Sequence, residues 1–131
     1  MLRRHLAGLA LATLALPASA QGDKIARLVI GFPAGQATDV IARLLADGLK
    51  GELGETVIVD NKPGQGGSIA LGQVARAAPD GTTMILAPLA SLVINPHLYK
   101  NVAYNTFTSF APVARVCDLP LVLVVHPSLP V

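Results

Sequence analysis

Apolar and polar positions along the chain switch between two periods. Residues 25–31, IARLVIG, form a nearly continuous apolar run of strand length. From Thr38 onward the pattern becomes helical: Val40, Ile41, Leu44, Leu45 and Leu49 share one stripe, while Arg43, Asp47 and Lys50 are left for solvent. Thr38 is the expected N-cap of that helix, and Gly51 or Gly54 its expected end. Val57, Ile58 and Val59 are β-branched and predict a short buried strand. Residues 61–67, NKPGQGG, are a loop by composition, and Ser68 opens a second helix through Ile69, Leu71, Val74, Ala75 and Ala78, closed by Pro79, Asp80 and Gly81. Residues 83–87 predict a third strand, and residues 88–91 a turn into a short helical piece ending near Asn95 and Pro96. Two more strand candidates follow, residues 112–117 and 121–125, the latter apolar enough for burial on both faces. Strand-like and helix-like segments in alternation indicate an α/β unit built on a mostly parallel sheet.

The first twenty residues stand apart from this fold. Arg3 and Arg4 precede an apolar run over residues 6–16, and Ala18-Ser19-Ala20 supplies small residues for cleavage before Gln21. A membrane-spanning helix needs about 20 apolar residues, so this run reads as a cleaved export signal and the destination as the periplasm. Both the general and the twin-arginine export routes fit the paired arginines. Without Arg3 and Arg4 the chain keeps eight basic and eight acidic residues, so the basic character resides in the signal. Nucleic-acid binding, which requires a basic face, loses its support. Cys117 has no second cysteine to pair with and sits in an apolar run, the pattern of a buried core thiol.

The segment GFPAGQATDV, residues 31–40, joins the first strand to the first helix. In an open parallel sheet ligands sit beyond the carboxyl ends of strands, and the free N–H groups of a helix's first turn suit an anion. Gly35 and Pro33 equally suit a tight connection with no ligand. Sharper chemistries fail on spacing. Neither glycine-bearing loop carries G-x-G-x-x-G or a Walker lysine, and no serine stands in a G-x-S-x-G elbow. His97 and His126 are too far apart for a local metal motif; the first reads as solvated in a turn and the second as a structural or surface residue after a strand. Asp39 at a helix start stabilises the helix dipole without any catalytic role. No catalytic residue, metal site or cofactor is indicated, and nothing in the residues nominates an enzyme.

Several segments together resemble the extracytoplasmic solute-binding proteins of tripartite tricarboxylate transporters, the Bug and TctC receptors. They are IGFPAG at 30–35 through TDVIARLL at 38–45, VDNKPGQGG at 59–67, AAPDGTT at 77–83, INPHLY at 94–99, and FAPV at 110–113 through LVLVVHP at 121–127. The resemblance implies a fold like the two-lobed type II periplasmic binding proteins: signal at 1–20, an incomplete first lobe at 21–119, and residues 120–131 starting a crossover to a second lobe. It implies a small organic acid as ligand and the membrane subunits of a tripartite transporter as partners. One carboxylate would be cradled by the turn carrying Phe32, Ala34, Gly35, Gln36, Ala37, Thr38 and Asp39, with further contacts from Leu89 and Ser91 after the third strand.

Two positions depart from the family's pattern. Gln36 stands where a second glycine is usual; a left-handed backbone there would cost about 1–2 kcal/mol, and otherwise the amide is free to donate to the ligand. Leu89 makes the opposite wall more apolar, so a less polar acid is as good a candidate as citrate. Receptors of this family continue for roughly another domain, and the chain as a truncated receptor is the expectation, with a remnant that binds nothing, or an exported enzyme, as the alternatives. Intact-mass measurement on periplasmic material is expected to find a product beginning at Gln21; a retained signal would contradict the exported, soluble reading.

Overall fold

The computed structural model describes residues 25–120 and 122–129. The export signal expected at 1–20, and Leu121 of the last expected strand, lie outside the described residues. Three parallel strands, β1 (Ile25–Ile30), β2 (Thr56–Asn61) and β3 (Thr83–Leu86), form a sheet in the order β2-β1-β3. The central strand is the most apolar, as its place demands: Ala26, Leu28, Val29 and Ile30 are all buried. Its register sets Leu28 beside Val59 and Met84, and Ile30 beside Asn61 and Leu86. Burying Leu28 and Ile30 contributes about 1.5–3 kcal/mol each.

Helix α1 (Ala37–Leu53) covers one face of the sheet, where Leu28, Ile30 and Ala42 form the core with Leu45, Val57, Val59, Met84 and Leu86 around them. Its buried line runs through Ala42 and Ala46, small residues that bring the helix close to the strands. Val40 and Leu44 from the expected apolar stripe point outward, 51% and 69% exposed, because they lie across the helix from those alanines. The helix begins two residues earlier than expected: Gln36, not Thr38, is the N-cap. Gly54 ends it in the left-handed conformation, donating its N–H to the Lys50 carbonyl at 3.2 Å.

On the other face, helix α2 (Ser68–Val74) packs against β1 and β3. It stops short of Ala78, tightening into turns in which Arg76 bonds to Gln73 and Ala77 to Val74 ahead of Pro79. Asp80 then accepts the Thr82 N–H and hydroxyl at 2.9 and 2.7 Å and fixes the turn into β3. Two short helices follow, α3 (Leu89–Val93) and α4 (Asn95–Leu98). The segment after them is strapped back onto α3: the Tyr104 hydroxyl donates to the Ser91 carbonyl and the Thr106 hydroxyl to the Leu92 carbonyl at 2.6 Å.

The later strand candidates do not form. Residues 112–117 and 122–125 have no strand pairing among the described residues and are exposed, with Leu123 at 91%. Their apolar patterning is suited to a sheet, but a strand exists only with a neighbour to satisfy its backbone. Cys117 is accordingly exposed and not a core thiol. His126 is exposed and its Nδ1 lies 2.8 Å from the Ser128 hydroxyl.

At the carboxyl end of β1 the packing allows no side chain. A methyl group on Gly31 would lie 2.4 Å from the Gly67 Cα, backbone that cannot swing aside. Gly48, on the outer side of α1, has nothing within 4 Å. Gly31→Ala is therefore expected to destabilise the fold by about 1–3 kcal/mol, and Gly48→Ala to stabilise it by about 0.4–1 kcal/mol. Denaturant unfolding of the two variants beside the parent measures both signs.

Candidate carboxylate-binding turn

The loops after β1, β2 and β3 lie together at the carboxyl ends of the parallel strands and lead into α1, α2 and α3. In the first loop the left-handed residue is Gly35, at φ 83°. Gln36 is extended, at φ −80° and ψ 166°, so it carries no strain. Its side chain caps nothing and is exposed. The Gln36 carbonyl accepts the N–H groups of Asp39 and Val40 at 2.9 and 3.0 Å. The amides of Ala37 and Thr38, at the start of a 17-residue helix, have no acceptor among the described residues.

Asp39 holds this turn in shape. Its side chain is buried, and its Oδ2 accepts the Gly35 N–H at 2.8 Å and Arg43 Nε at 3.0 Å. Its Oδ1 accepts Arg43 Nη2 and Asn61 Nδ2, both at 3.0 Å. Asn61 also donates to the Phe32 carbonyl at 3.1 Å, joining the end of β2 to the same turn. The Arg43 guanidinium, with the Gly35 N–H and the Asn61 amide, holds the Asp39 carboxyl far below the usual carboxylate range, and Asp39 in turn raises Arg43. Asp39 is thus ionised at neutral pH, and its charge is met by a two-pronged guanidinium instead of being presented outward. It serves the helix dipole, as expected from its position, and also anchors the loop, which sequence position alone did not indicate. The Asp39-x-x-x-Arg43 spacing was the available signal, since residues four apart share a helix face; Asn61 had none, because its role depends on strand register.

The second loop has a left-handed run: Gly64, Gln65, Gly66 and Gly67 at φ 141°, 46°, 59° and 93°. Ser91 and Asn95 hold it from behind. The Ser91 hydroxyl donates to the Gly66 carbonyl at 2.7 Å, and Asn95 Nδ2 reaches the Gly66 carbonyl and the Ser68 hydroxyl, both at 2.9 Å, and the Gln65 carbonyl at 3.2 Å. Ser91 is buried, with its hydroxyl proton committed to this loop. Leu89, on the third loop, is 72% exposed. Phe32 is half-buried, beside Gly67; Ala34 and Ala37 are exposed and Thr38 is half-buried. Separate from all of these, a cavity of about 230 Å³ on the α2 face of the sheet is lined by Arg27, Asp60, Gln73 and Thr83.

The sequence matches the family described as tripartite tricarboxylate transporter family receptor over residues 41–131. BugT of Bordetella pertussis is 36% identical over 127 residues, which is 93% of this chain and 39% of that protein. Among solved structures, the periplasmic binding protein BugD aligns with a TM-score of 0.64 and 48% identity, over 67% of this chain and 29% of its own. MatC from Rhodopseudomonas palustris, solved with bound malate, aligns with a TM-score of 0.65 and 35% identity, over 68% of this chain and 30% of its own. A second R. palustris protein, solved with adipate, aligns with a TM-score of 0.59 and 33% identity, over 62% of this chain and 27% of its own. The chain therefore spans only about a third of its relatives' length.

The depressed Asp39 carboxyl predicts how stability follows pH. Its folded pKa lies below the unfolded value of about 3.9, so its contribution is complete above that value and is lost as pH falls toward the folded one. The gap in denaturation midpoint between the parent and Asp39→Asn is expected to be widest near neutral pH and to narrow below about pH 4. A gap constant with pH would remove the ionised carboxylate as the source.

Proposed function

Because the chain belongs to the tripartite tricarboxylate transporter receptor family, we propose that it is the first-lobe portion of a periplasmic receptor for small organic acids. The reading rests on the turn after β1, where the unengaged amides of Ala37 and Thr38 open a long helix behind a neutralised Asp39. A helix N-terminus stabilises an anion by about 0.3–1 kcal/mol when exposed and up to about 2 kcal/mol when partly buried. The relatives solved with malate and with adipate carry ligands of that chemistry. In this reading Phe32, Ala34, Gly35, Gln36, Ala37, Thr38 and Asp39 make up the ligand turn, with Gln36 aiming its free amide at the ligand. Leu89 supplies an apolar wall, and Ser91 acts through the Gly66 loop that it holds. Residues 120–131 lead toward a second lobe, the bound acid is passed to transporter membrane subunits, and no catalytic step is involved.

An anion on an open turn stays in water, where a charge pair at contact is worth about 1 kcal/mol, against several in a closed cleft. Binding by this chain alone is therefore expected to be weak, on the order of millimolar. Nuclear magnetic resonance of the ¹⁵N-labelled chain, titrated with malate and adipate and with their uncharged diamides, is expected to shift the Ala37 and Thr38 amides for the acids only. Equal response to the diamides, or none to either acid, contradicts the carboxylate reading. Gln36→Gly is expected to change the ratio of malate to adipate affinity by about two- to tenfold, the worth of one hydrogen bond, with the fold retained; an unchanged ratio takes Gln36 out of the site.

A further inference from the structure

The left-handed run at residues 64–67 is unusual in one respect. Gln65, at φ 46°, is the one residue other than glycine with positive φ among the described residues. Such a conformation costs about 1–2 kcal/mol for a residue with a Cβ and persists only where its surroundings over-determine it. The surroundings are Asn95 and Ser91. Asn95 is 7% exposed and sits at the first position of α4, more than twenty-five residues from the loop in sequence. Its single amide nitrogen meets the carbonyls of Gln65 and Gly66 and the hydroxyl of Ser68.

Those two carbonyls fix two peptide planes. In a trans peptide the N–H points opposite to the C=O. The Gln65 carbonyl, which accepts from both Asn95 and the Ser68 N–H, therefore directs the Gly66 N–H to the opposite edge of the peptide plane, and that N–H has no acceptor among the described residues. The following peptide has its carbonyl bonded to both Asn95 and Ser91, and its N–H, that of Gly67, donates to the Gly64 carbonyl at 2.9 Å. A backbone N–H left without an acceptor in such a turn is the kind of group that binds an anion. The loop also borders the ligand turn directly, because Gly67 rests on Gly31 with no room for a methyl group and Phe32 lies against Gly67.

We propose that Asn95 is a positioning residue of the carboxylate site: by holding the carbonyls of Gln65 and Gly66 it sets the left-handed loop and presents the Gly66 N–H as a further donor to the bound acid. The proposal rests on the carboxylate reading of the adjoining turn. It assigns Asn95 no contact with the ligand.

The test uses the ¹⁵N-labelled chain with malate as probe. In the parent, malate is expected to shift the Gly66 amide along with Ala37 and Thr38. In Asn95→Ala, the amide positions of residues 64–67 are expected to move and the Gly66 response to disappear, while Ala37 and Thr38 still respond, with affinity lowered about two- to tenfold as befits one lost hydrogen bond. Asn95→Asp places an acceptor against two carbonyls, so it should resemble Asn95→Ala near neutral pH. As pH falls and the substituted carboxyl gains a proton, a donor returns, and the loop resonances should move back toward their parent positions. The parent, which shares the exposed His97, is followed over the same range as control. A merely space-filling role for position 95 would give no such pH-dependent rescue.

If Asn95→Ala does not fold, Asn95→Asp at acidic pH carries the same comparison. Parent-like Gly66 behaviour in Asn95→Ala, or pH-independent loop positions in Asn95→Asp, overturns the proposal. Absence of any malate response at Ala37 and Thr38 in the parent, with the loop still dependent on Asn95, overturns the carboxylate reading itself and the ligand role of Gly66 with it.

Discussion

One buried carboxylate ties the site to the sheet. The oxygens of Asp39 accept from the turn before the helix, from the next turn of the same helix and, through Asn61, from the end of the neighbouring strand. Asn61 in turn holds the Phe32 carbonyl, so the first loop is fastened at both of its ends. Parallel pairing of β1 with β2 makes this possible, because it brings Ile30 and Asn61 level at the strand ends from which both loops depart. The direction of the sheet and the shape of the loop are thus one constraint.

The same arrangement resolves a conflict in the site's chemistry. A negative residue one and two places from the unengaged amides of Thr38 and Ala37 would repel an anion there if its charge were free. Arg43 engages both carboxylate oxygens, and neutral donors take the remaining positions. The negative charge is spent within the scaffold, and the helix start keeps its positive character toward solvent. In the proposed receptor role, recognition by backbone amides fits relatives solved with malate and with adipate, since amides would grip the carboxylate group that both acids share and leave side chains such as Gln36 and Leu89 to discriminate.

Much of the fold was legible because it is governed by local pattern. The three strands, the long first helix and its Gly54 end follow from the apolar periods, from β-branched residues and from the need for a left-handed terminus. Thr38 as N-cap was a reasonable inference from residue type, but the tight turn at Gly35 leaves Gln36 as the residue flanking the helix, and its main-chain carbonyl does the capping. The failures share a different cause. Residues 112–117 and 122–125 have the composition of strands, yet pairing is a property of two segments and not of one, and so Cys117 came out exposed. The site divides along the same line. The turn proposed to hold the ligand draws notice through family resemblance, its glycine and proline content fitting a plain connection equally well, whereas Asn61 and Asn95 act on loops 22 to 30 residues away and leave no mark in the local pattern.

The bare contact between Gly31 and Gly67 bears on the thermodynamics of recognition. Where the two loops meet at Gly31 and Gly67, main chain lies on main chain with no side-chain rotamer at that contact to order, and each blocks the sideways motion of the other. Ordering a rotamer-rich side chain on association costs about 0.5–1.5 kcal/mol; a surface already immobilised before the ligand arrives avoids most of that cost. In the proposed receptor role, a floor made rigid by the absence of atoms would have little to rearrange, and differences in affinity among acids would arise from groups that stand above it.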